Sequence, residues 1–245
     1  MTRWAICLLF LTGLALAAPG GEMVQFKAGD ETVSGYLALP TGKGPFPAVI
    51  LIHEWWGLND WTREQADACA RKGYVALAVD LYRGKVTGDR DLAHELSRGL
   101  PADRALSDLE AVLAYLKGRK DVRKDRIGCI GWCMGGGYAL ELALHKPLQA
   151  TVVAYGQVKT RADGVKSLQG PVLGIFGETD RGIPLDTVKA FEKALSEAGK
   201  QHKIVVFPKV GHAFMNPNNQ AGYDKTQAQA AWAAIWSFFE SNLKR

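Results

Sequence analysis

A cysteine stands at the centre of a short glycine-rich stretch, Gly131 to Gly136, which reads GWCMGG. The spacing is that of the G-x-S-x-G motif, in which a sharp turn between a strand and a helix exposes a nucleophile. Cys133 takes the nucleophile position, and a thiol can do the acyl chemistry of a serine hydroxyl. The following helix N-terminus would favour a thiolate. The stretch predicts a cysteine nucleophile with the Met134 N–H group as an oxyanion donor.

A nucleophile of this kind needs a histidine base and an acid that orients the base. Asp180 lies in the segment GETD, just after an apolar run, and His212 lies in the segment GHAF after the next one. The order of nucleophile, acid and histidine is the order found with the G-x-S-x-G turn in hydrolases. Glu178 is an alternative acid, nearer to the end of the apolar run. The sequence predicts the triad Cys133, Asp180 and His212.

The elements that would position these residues follow from the apolar pattern. Six short apolar runs are nearly continuous, which is typical of parallel strands covered on both faces. Two earlier segments alternate more and predict an antiparallel hairpin at one edge. Helical segments between the later runs complete a doubly wound, mostly parallel α/β sheet. The predicted strands are 23–27, 32–39, 48–53, 75–80, 126–131, 150–154, 171–176 and 203–207, and the predicted helices are 61–71, 101–117, 134–144, 185–198 and a closing helix over 228–239.

Other reactive side chains also fall at predicted strand ends, where function collects in such a sheet. Glu54 follows the first parallel strand. A carboxylate near a thiol can accept its proton, and its charge disfavours a resting thiolate, which is the easily oxidised form. A surface or capping carboxylate is the alternative. His53, beside it, either lines the pocket or is a buried structural histidine.

The cysteines and histidines form no metal-binding pattern. Removal of an exported leader would leave Cys69, Cys129 and Cys133, an odd number for an oxidising compartment. Cys129 falls in a predicted buried strand, where it behaves as a small hydrophobe, so we expect no disulfide with Cys133. No Cys/His cluster has zinc spacing. We therefore expect neither a metal nor another cofactor.

The charge distribution argues against nucleic-acid binding. The chain of 245 residues has a formal charge of +5, and its one dense basic run, residues 117–126, is interrupted by Asp121 and Asp125. Nucleic-acid recognition needs a wider basic face or stacking aromatic residues. We interpret the run as a helix end followed by a solvated turn.

The first residues have the composition of a secretory signal. Arg3 gives a positive start, residues 4–17 are almost wholly apolar, and the segment Ala15 to Ala17 fits an A-x-A cleavage site. We predict cleavage after Ala17, which leaves a periplasmic or secreted protein with residues 18–245 as one domain. The apolar stretch is shorter than the about 20 residues of a membrane span, and an uncleaved anchor is the alternative.

From about Gln25 to Phe239, the chain resembles the dienelactone hydrolase family. The resemblance implies the α/β-hydrolase fold, hydrolysis of carboxymethylenebutenolides, and a Cys-His-Asp triad that maps onto the predicted one. It also implies that Glu54 holds the thiol and helps to activate it, and that the Trp55 N–H group is the second oxyanion donor. The resemblance rests on the segments HEWWGL from His53, DLYR from Asp80, GWCMGG from Gly131, GETD from Gly177 and GHAF from Gly211.

The same resemblance assigns substrate contacts. Arg83 would bind a substrate carboxylate, which a guanidinium can hold with two hydrogen bonds; a surface salt bridge is the alternative. Dienelactone-specific members carry a second arginine shortly after the catalytic histidine, and Asn216 stands at that place here. This departure argues against a carboxylated lactone. Together with Trp56 and Tyr82, Trp55 favours an aromatic, fairly apolar pocket.

We therefore expect an exported, monomeric cysteine hydrolase whose partner is a small-molecule ester or lactone, with no nucleic acid and no stable membrane span after processing. One alternative is a non-catalytic small-molecule binding protein on a hydrolase scaffold, in which the triad atoms would not converge. Another is a thiol redox protein that uses Cys133 with Cys129 or an external thiol.

Overall fold

The computed structural model of the protein describes residues 20–244, and at their centre lies one sheet of eight strands. Its order is β1-β2-β4-β3-β5-β6-β7-β8. All pairings from β4 to β8 are parallel, and β1 and β2 add an antiparallel hairpin at one edge. The predicted mostly parallel sheet and edge hairpin are confirmed. The strands are β1 (Glu22–Ala28), β2 (Glu31–Ala38), β3 (Phe46–Ile52), β4 (Val75–Val79), β5 (Val122–Trp132), β6 (Ala150–Ala154), β7 (Val172–Gly177) and β8 (His202–Phe207).

Helices cover both faces of the sheet, which is why its central strands are apolar throughout. The helices are α1 (Asp60–Arg71), α2 (Arg90–Arg98), α3 (Ala102–Gly118), α4 (Met134–His145), α5 (Leu185–Glu197) and α6 (Lys225–Phe239). On one face α3, α4 and α5 bury side chains such as Leu109, Leu140 and Phe191. On the other, α1 and α6 bury Trp61 and Ile235. Every residue of β4 and β6 is buried between the two layers.

The largest departure from the predicted elements is α2, which the apolar pattern did not identify. Helix α2 fully buries only Ala93, with Leu96 packed partly against the core, so its core-facing stripe is short and the helix is polar on average. Its start is fixed locally, because the Asp89 side chain accepts a hydrogen bond from the Leu92 N–H group. The boundary of this mostly exposed helix is thus marked by its cap rather than by a long apolar stripe.

No helix within residues 20–244 is long and apolar enough to cross a bilayer. The predicted signal segment, residues 1–17, and the predicted cleavage after Ala17 lie outside the described residues.

Candidate active site

Cys133 occupies a strained turn between the end of β5 and the start of α4. Its φ of 55° and ψ of −118° lie outside the regions that side chains other than glycine readily adopt. The glycines on either side allow the backbone to pack this tightly. A Cβ atom on Gly131 would lie 1.9 Å from the Gly135 carbonyl oxygen, and one on Gly135 would lie 2.2 Å from the Ile52 oxygen. The turn thus raises the thiol above the sheet edge at a helix N-terminus.

Asp180 and His212 meet at the same edge of the sheet. The His212 Nδ1–H group donates to Asp180 Oδ2 at 2.8 Å, while Asp180 Oδ1 accepts from the N–H groups of Gly182 at 2.8 Å and Ile183 at 3.1 Å. With Nδ1 donating, Nε2 of His212 is free to accept a proton. The Asp180 carboxylate is 4% exposed, and its three donors fix its orientation.

The pKa of His212 is shifted by the groups that surround it. Burial alone would lower this pKa, but the Asp180 carboxylate and the Cys133 sulfur outweigh burial and raise it to about 10, which favours an imidazolium whenever Cys133 is a thiolate. In turn, burial would raise the pKa of Asp180, and the imidazole of His212 outweighs it, so the pKa is lowered. Sulfur, imidazole and carboxylate therefore interact as one chain, and the structure brings the three predicted triad residues together.

Glu178, the alternative acid, has another partner. Its Oε2 atom accepts the Lys209 N–H group at 2.8 Å, and the residue is exposed. It ties the loop after β7 to the loop after β8, and the acid in contact with His212 is Asp180.

Glu54 is a buried carboxylate at the end of β3, only 3% exposed. Its Oε2 atom accepts a 2.7 Å hydrogen bond from Asn216 Nδ2, whereas its Oε1 atom has no hydrogen-bond partner among the described residues. Burial raises the pKa of Glu54 above its ordinary value; the Asn216 amide, the His212 charge and the Tyr155 hydroxyl act in the opposite direction.

Asn216, the predicted substrate contact, therefore has a partner within the fold. The Asn216 side chain is 1% exposed, donates to Glu54 and accepts the Asn218 N–H group at 2.9 Å. It lines neither of the cavities beside Cys133. A buried carboxylate needs a donor, and Asn216 supplies it.

Arg83, the predicted carboxylate contact, also has its partners within the fold. Its guanidinium donates to both carboxylate oxygens of Asp108, at 2.7 and 2.9 Å, and to Glu31 at 2.7 Å. Asp108 lies on the buried stripe of α3 and its side chain is 1% exposed, so its charge requires a cation. These contacts raise the pKa of Arg83 and occupy its guanidinium within the fold. Arg83 lines neither cavity beside Cys133.

Tyr82 and His53 support the site from below and do not line either cavity. The Tyr82 hydroxyl donates to the Met134 sulfur at 3.2 Å, and its ring packs edge-on against His53 with centroids 4.9 Å apart. The His53 Nδ1–H group donates to the Glu54 carbonyl oxygen, and Nε2 accepts from the Leu81 N–H group. Burial lowers the pKa of His53. Of its two interpretations, the structure favours a neutral structural histidine, and Tyr82 is a packing residue rather than a substrate contact.

Two cavities open on either side of Cys133, and both are also lined by Trp55 and His212. The first has a volume of about 680 Å³ and a largely apolar wall that includes Met134 and Tyr138. The second, of about 770 Å³, is lined by more polar groups, among them Arg90, and by the predicted contact residue Trp56. Other polar side chains that line the second cavity are those of Glu54, Asn59, Thr87, Asn218 and Asn219. A bond placed at Cys133 would have space on both sides.

Arg90 and Tyr155 were missed from the sequence. Arg90 opens α2, the helix that the apolar pattern did not reveal. Tyr155 directly follows β6, the one predicted parallel strand whose end was given no candidate residue. The rule that functional residues gather at strand ends pointed to it.

The described cysteines are free thiols. Cys129 is fully buried on the α3 and α4 side of the sheet, and burial raises its pKa to about 12. Cys133 packs against the opposite apolar layer, the one that includes Cys69. Among residues 20–244, no cluster of three or more histidines, cysteines and carboxylates could hold a metal ion.

Comparison with known proteins points to one family. A profile of the dienelactone hydrolase family matches residues 33–243. A Methylorubrum extorquens protein provisionally named carboxymethylenebutenolidase is 32% identical over 231 residues, which cover 88% of this chain and 79% of that one. A crystal structure from Klebsiella pneumoniae, provisionally named dienelactone hydrolase, is 30% identical with a TM-score of 0.80, covering 89% of this chain and 98% of that one. A dienelactone hydrolase-like promiscuous phosphotriesterase from metagenomic libraries is 26% identical with a TM-score of 0.83, covering 91% and 98%.

Proposed function

Because the chain belongs to the dienelactone hydrolase family and is an ester or lactone hydrolase, we propose that Cys133 is its nucleophile and that His212 and Asp180 complete the triad. One observation carries the proposal. The Cys133 thiol sits on a strained turn and shares both cavities with His212, whose other nitrogen is held by the buried Asp180 at 2.8 Å.

The reaction proceeds in two halves. His212 Nε2 takes the thiol proton, and the sulfur attacks the substrate carbonyl carbon while the carbonyl electron pair moves onto oxygen. The tetrahedral intermediate collapses, the C–O bond to the alcohol breaks, and the leaving oxygen takes the proton from His212. Water then gives a proton to His212 and attacks the thioester, and the C–S bond breaks to release the acid and the thiolate, which recovers its proton.

The N–H groups of Trp55 and Met134 are the candidate oxyanion donors. Met134 is the first residue of α4, so its N–H group has no acceptor inside the helix. For the Trp55 N–H group, no acceptor is found among residues 20–244. Two unpaired N–H groups flanking the thiol can stabilise charge that develops on the carbonyl oxygen.

Glu54 acts through its charge. It lines the second cavity together with Cys133 and His212. As an anion it disfavours a resting thiolate and stabilises the imidazolium that forms when His212 takes the proton. This arrangement keeps the thiol protonated and less readily oxidised until a substrate arrives.

The two cavities suggest a substrate with unlike ends. The first cavity suits an apolar or aromatic group, and Arg90 in the second can pair with a carboxylate. The absence of an arginine at position 216 is therefore no obstacle to a carboxylated substrate. Replacing Arg90 by Gln should raise KM about tenfold for an ester with a carboxylate and leave its neutral methyl ester unaffected. Arg98→Gln, at the other end of α2, is the control, and equal effects on both esters would contradict the role of Arg90.

Neither alternative function has a supporting observation. A non-catalytic binding protein does not require the triad side chains to converge, and here they interact. A redox partnership of Cys133 with Cys129 is disfavoured because the two side chains pack on opposite faces of the sheet.

The nucleophile is tested with wild type, Cys133→Ala and Cys133→Ser on a panel of aryl esters and butenolides. We expect loss of turnover in Cys133→Ala, weak turnover in Cys133→Ser, and an acyl group on Cys133 in the wild type by mass spectrometry after rapid quenching. Equal turnover by the wild type and Cys133→Ala would refute the proposal.

Export and the monomeric state belong to the same proposal. The apolar segment 4–17 and the A-x-A site support cleavage after Ala17. N-terminal sequencing of the protein from a cell-envelope fraction should begin at Ala18, and light scattering should give the mass of one chain. An intact Met1 in that fraction would favour the uncleaved anchor.

A further inference from the structure

Tyr155 is held in an unusual position at the end of β6. Its φ of 40° is positive, and its side chain is fully buried. The Tyr155 N–H group donates to the Ile175 carbonyl at 2.7 Å, and its ring packs edge-on against His212 and Phe214 with centroids 5.3 and 5.8 Å away. Strained backbone of this kind persists where the surroundings over-determine it, and it clusters at functional sites.

The Tyr155 hydroxyl and Glu54 Oε1 are two buried polar atoms without a hydrogen-bond partner among residues 20–244. They are neighbours, since a hydrogen-bonding contact between the two side chains shifts the pKa of each, although its geometry falls outside that of a complete hydrogen bond. Burial and the charges of Glu54 and Cys133 raise the pKa of Tyr155 well above its ordinary value, so its hydroxyl remains a donor. A buried donor thus faces a buried acceptor, and each lacks the partner that the other offers.

We propose that Tyr155 is a positioning residue for Glu54: its hydroxyl closes a hydrogen bond onto Oε1, Asn216 holds Oε2, and the two donors keep the carboxylate ionised beside Cys133. The inference rests on the proposed role of Cys133 and adds the group that controls the charge of Glu54.

The charge of Glu54 matters because it sets the resting form of the thiol. Burial favours protonation of Glu54, and a neutral carboxyl group would no longer repel a thiolate. Each donor stabilises the anionic form of Glu54, and that negative charge disfavours the thiolate. The titratable and charged groups around Glu54 come from five elements: Cys133 from the turn before α4, His212 from the loop after β8, Asp180 behind His212 from the loop after β7, Tyr155 from the end of β6, and Arg90 from α2; His53 beside it is neutral.

The test measures alkylation of Cys133 by iodoacetamide as a function of pH, quantified by mass spectrometry, so it does not depend on turnover. Tyr155→Phe removes only the hydroxyl. We expect the midpoint of the alkylation profile to fall by about 0.3 pH unit, a roughly twofold gain in thiolate below the midpoint. Glu54→Gln should lower the midpoint at least as much, and adding Tyr155→Phe to it should cause no further change. Tyr74→Phe, which removes a buried hydroxyl remote from the site, should not move the midpoint.

The proposal is overturned if Tyr155→Phe leaves the midpoint at the wild-type value, or if it still moves the midpoint in the Glu54→Gln background. A Glu54→Gln variant with the wild-type midpoint would overturn it as well. Failure of the cysteine-hydrolase proposal would look different, because Cys133→Ala would then keep full turnover whatever the alkylation profiles show.

Discussion

Two buried carboxylates influence His212, and they differ in how many donors they have. Asp180 accepts from two backbone N–H groups and from the imidazole, and its pKa is lowered. Glu54 has one completed hydrogen bond, from Asn216, and its pKa is raised. Burial acts on both in the same sense. The direct contact with His212 and the two backbone donors outweigh burial at Asp180, whereas burial outweighs the neighbouring donors at Glu54.

The sharpest test of this comparison is to neutralise Asp180. In Asp180→Asn the amide no longer stabilises the imidazolium and can favour the wrong tautomer of His212. We expect kcat to fall about a thousandfold or more, in line with triads of other hydrolases. The matched control is Glu178→Gln on the same loop, which should retain wild-type kcat. A loss shared by both variants would mean that the loop, rather than the Asp180 charge, is needed.

The two carboxylates should contribute to the pH dependence of the free energy of unfolding with opposite signs. The lowered pKa of Asp180 gives stability that is present above the pKa of the unfolded chain and lost as pH falls through the folded pKa. Asp180→Asn should therefore be less stable than wild type at neutral pH, by about 1–2 kcal/mol, with a smaller deficit in acid. The raised pKa of Glu54 gives stability that is present in acid and lost as pH rises.

Glu54→Gln should accordingly be as stable as wild type or up to about 1 kcal/mol more stable at neutral pH, and the gain should vanish in acid. Urea unfolding of both variants at neutral and acidic pH measures the four differences. If both substitutions destabilise equally at neutral pH, the contrast between the carboxylates is wrong.

The smallest effect concerns the donor itself. Asn216→Leu removes the one completed hydrogen bond of Glu54 while keeping a side chain of similar size. The pKa of Glu54 should rise further, and the Cys133 alkylation profile should move to lower pH by a few tenths of a unit or more. Asn242→Leu provides the comparison, because the Asn242 side chain donates to the Phe238 carbonyl oxygen at the end of the chain, away from the site. An unchanged profile would show that Asn216 has no influence on the charge of Glu54.

The parts of this site that could be predicted from sequence are those determined by local pattern. The apolar runs identified the strands, and the spacing around Cys133 identified a turn whose glycines are required sterically. The partners of Arg83 and Asn216 within the fold could not be predicted, because they depend on distant packing. Asp108 is buried only once α3 lies on the sheet, and Asn216 meets Glu54 across 162 residues of chain. Arg90 was hidden by a helix with almost no apolar face.

The position of Asp108 in the sequence already indicated a partner for Arg83. It occupies a position on the same helical stripe as Ala105, Leu109 and Val112, which are buried. A carboxylate on a core-facing stripe needs a cation, and Arg83 was an available one. The helical period therefore contained the reason why Arg83 could not also serve a substrate.

The close approaches around Cys133 have a consequence for how this enzyme could be changed. The nucleophile projects outward, whereas a methyl group on Gly131 or Gly135 would run into a backbone oxygen within about 2 Å, since those gaps are 1.9 and 2.2 Å. The side chain at position 133 can therefore be substituted more easily than Gly131 or Gly135, which take no part in the chemistry. An engineer could replace the nucleophile at position 133 while keeping the backbone of the turn, but could not replace the two glycines while keeping the thiol in place.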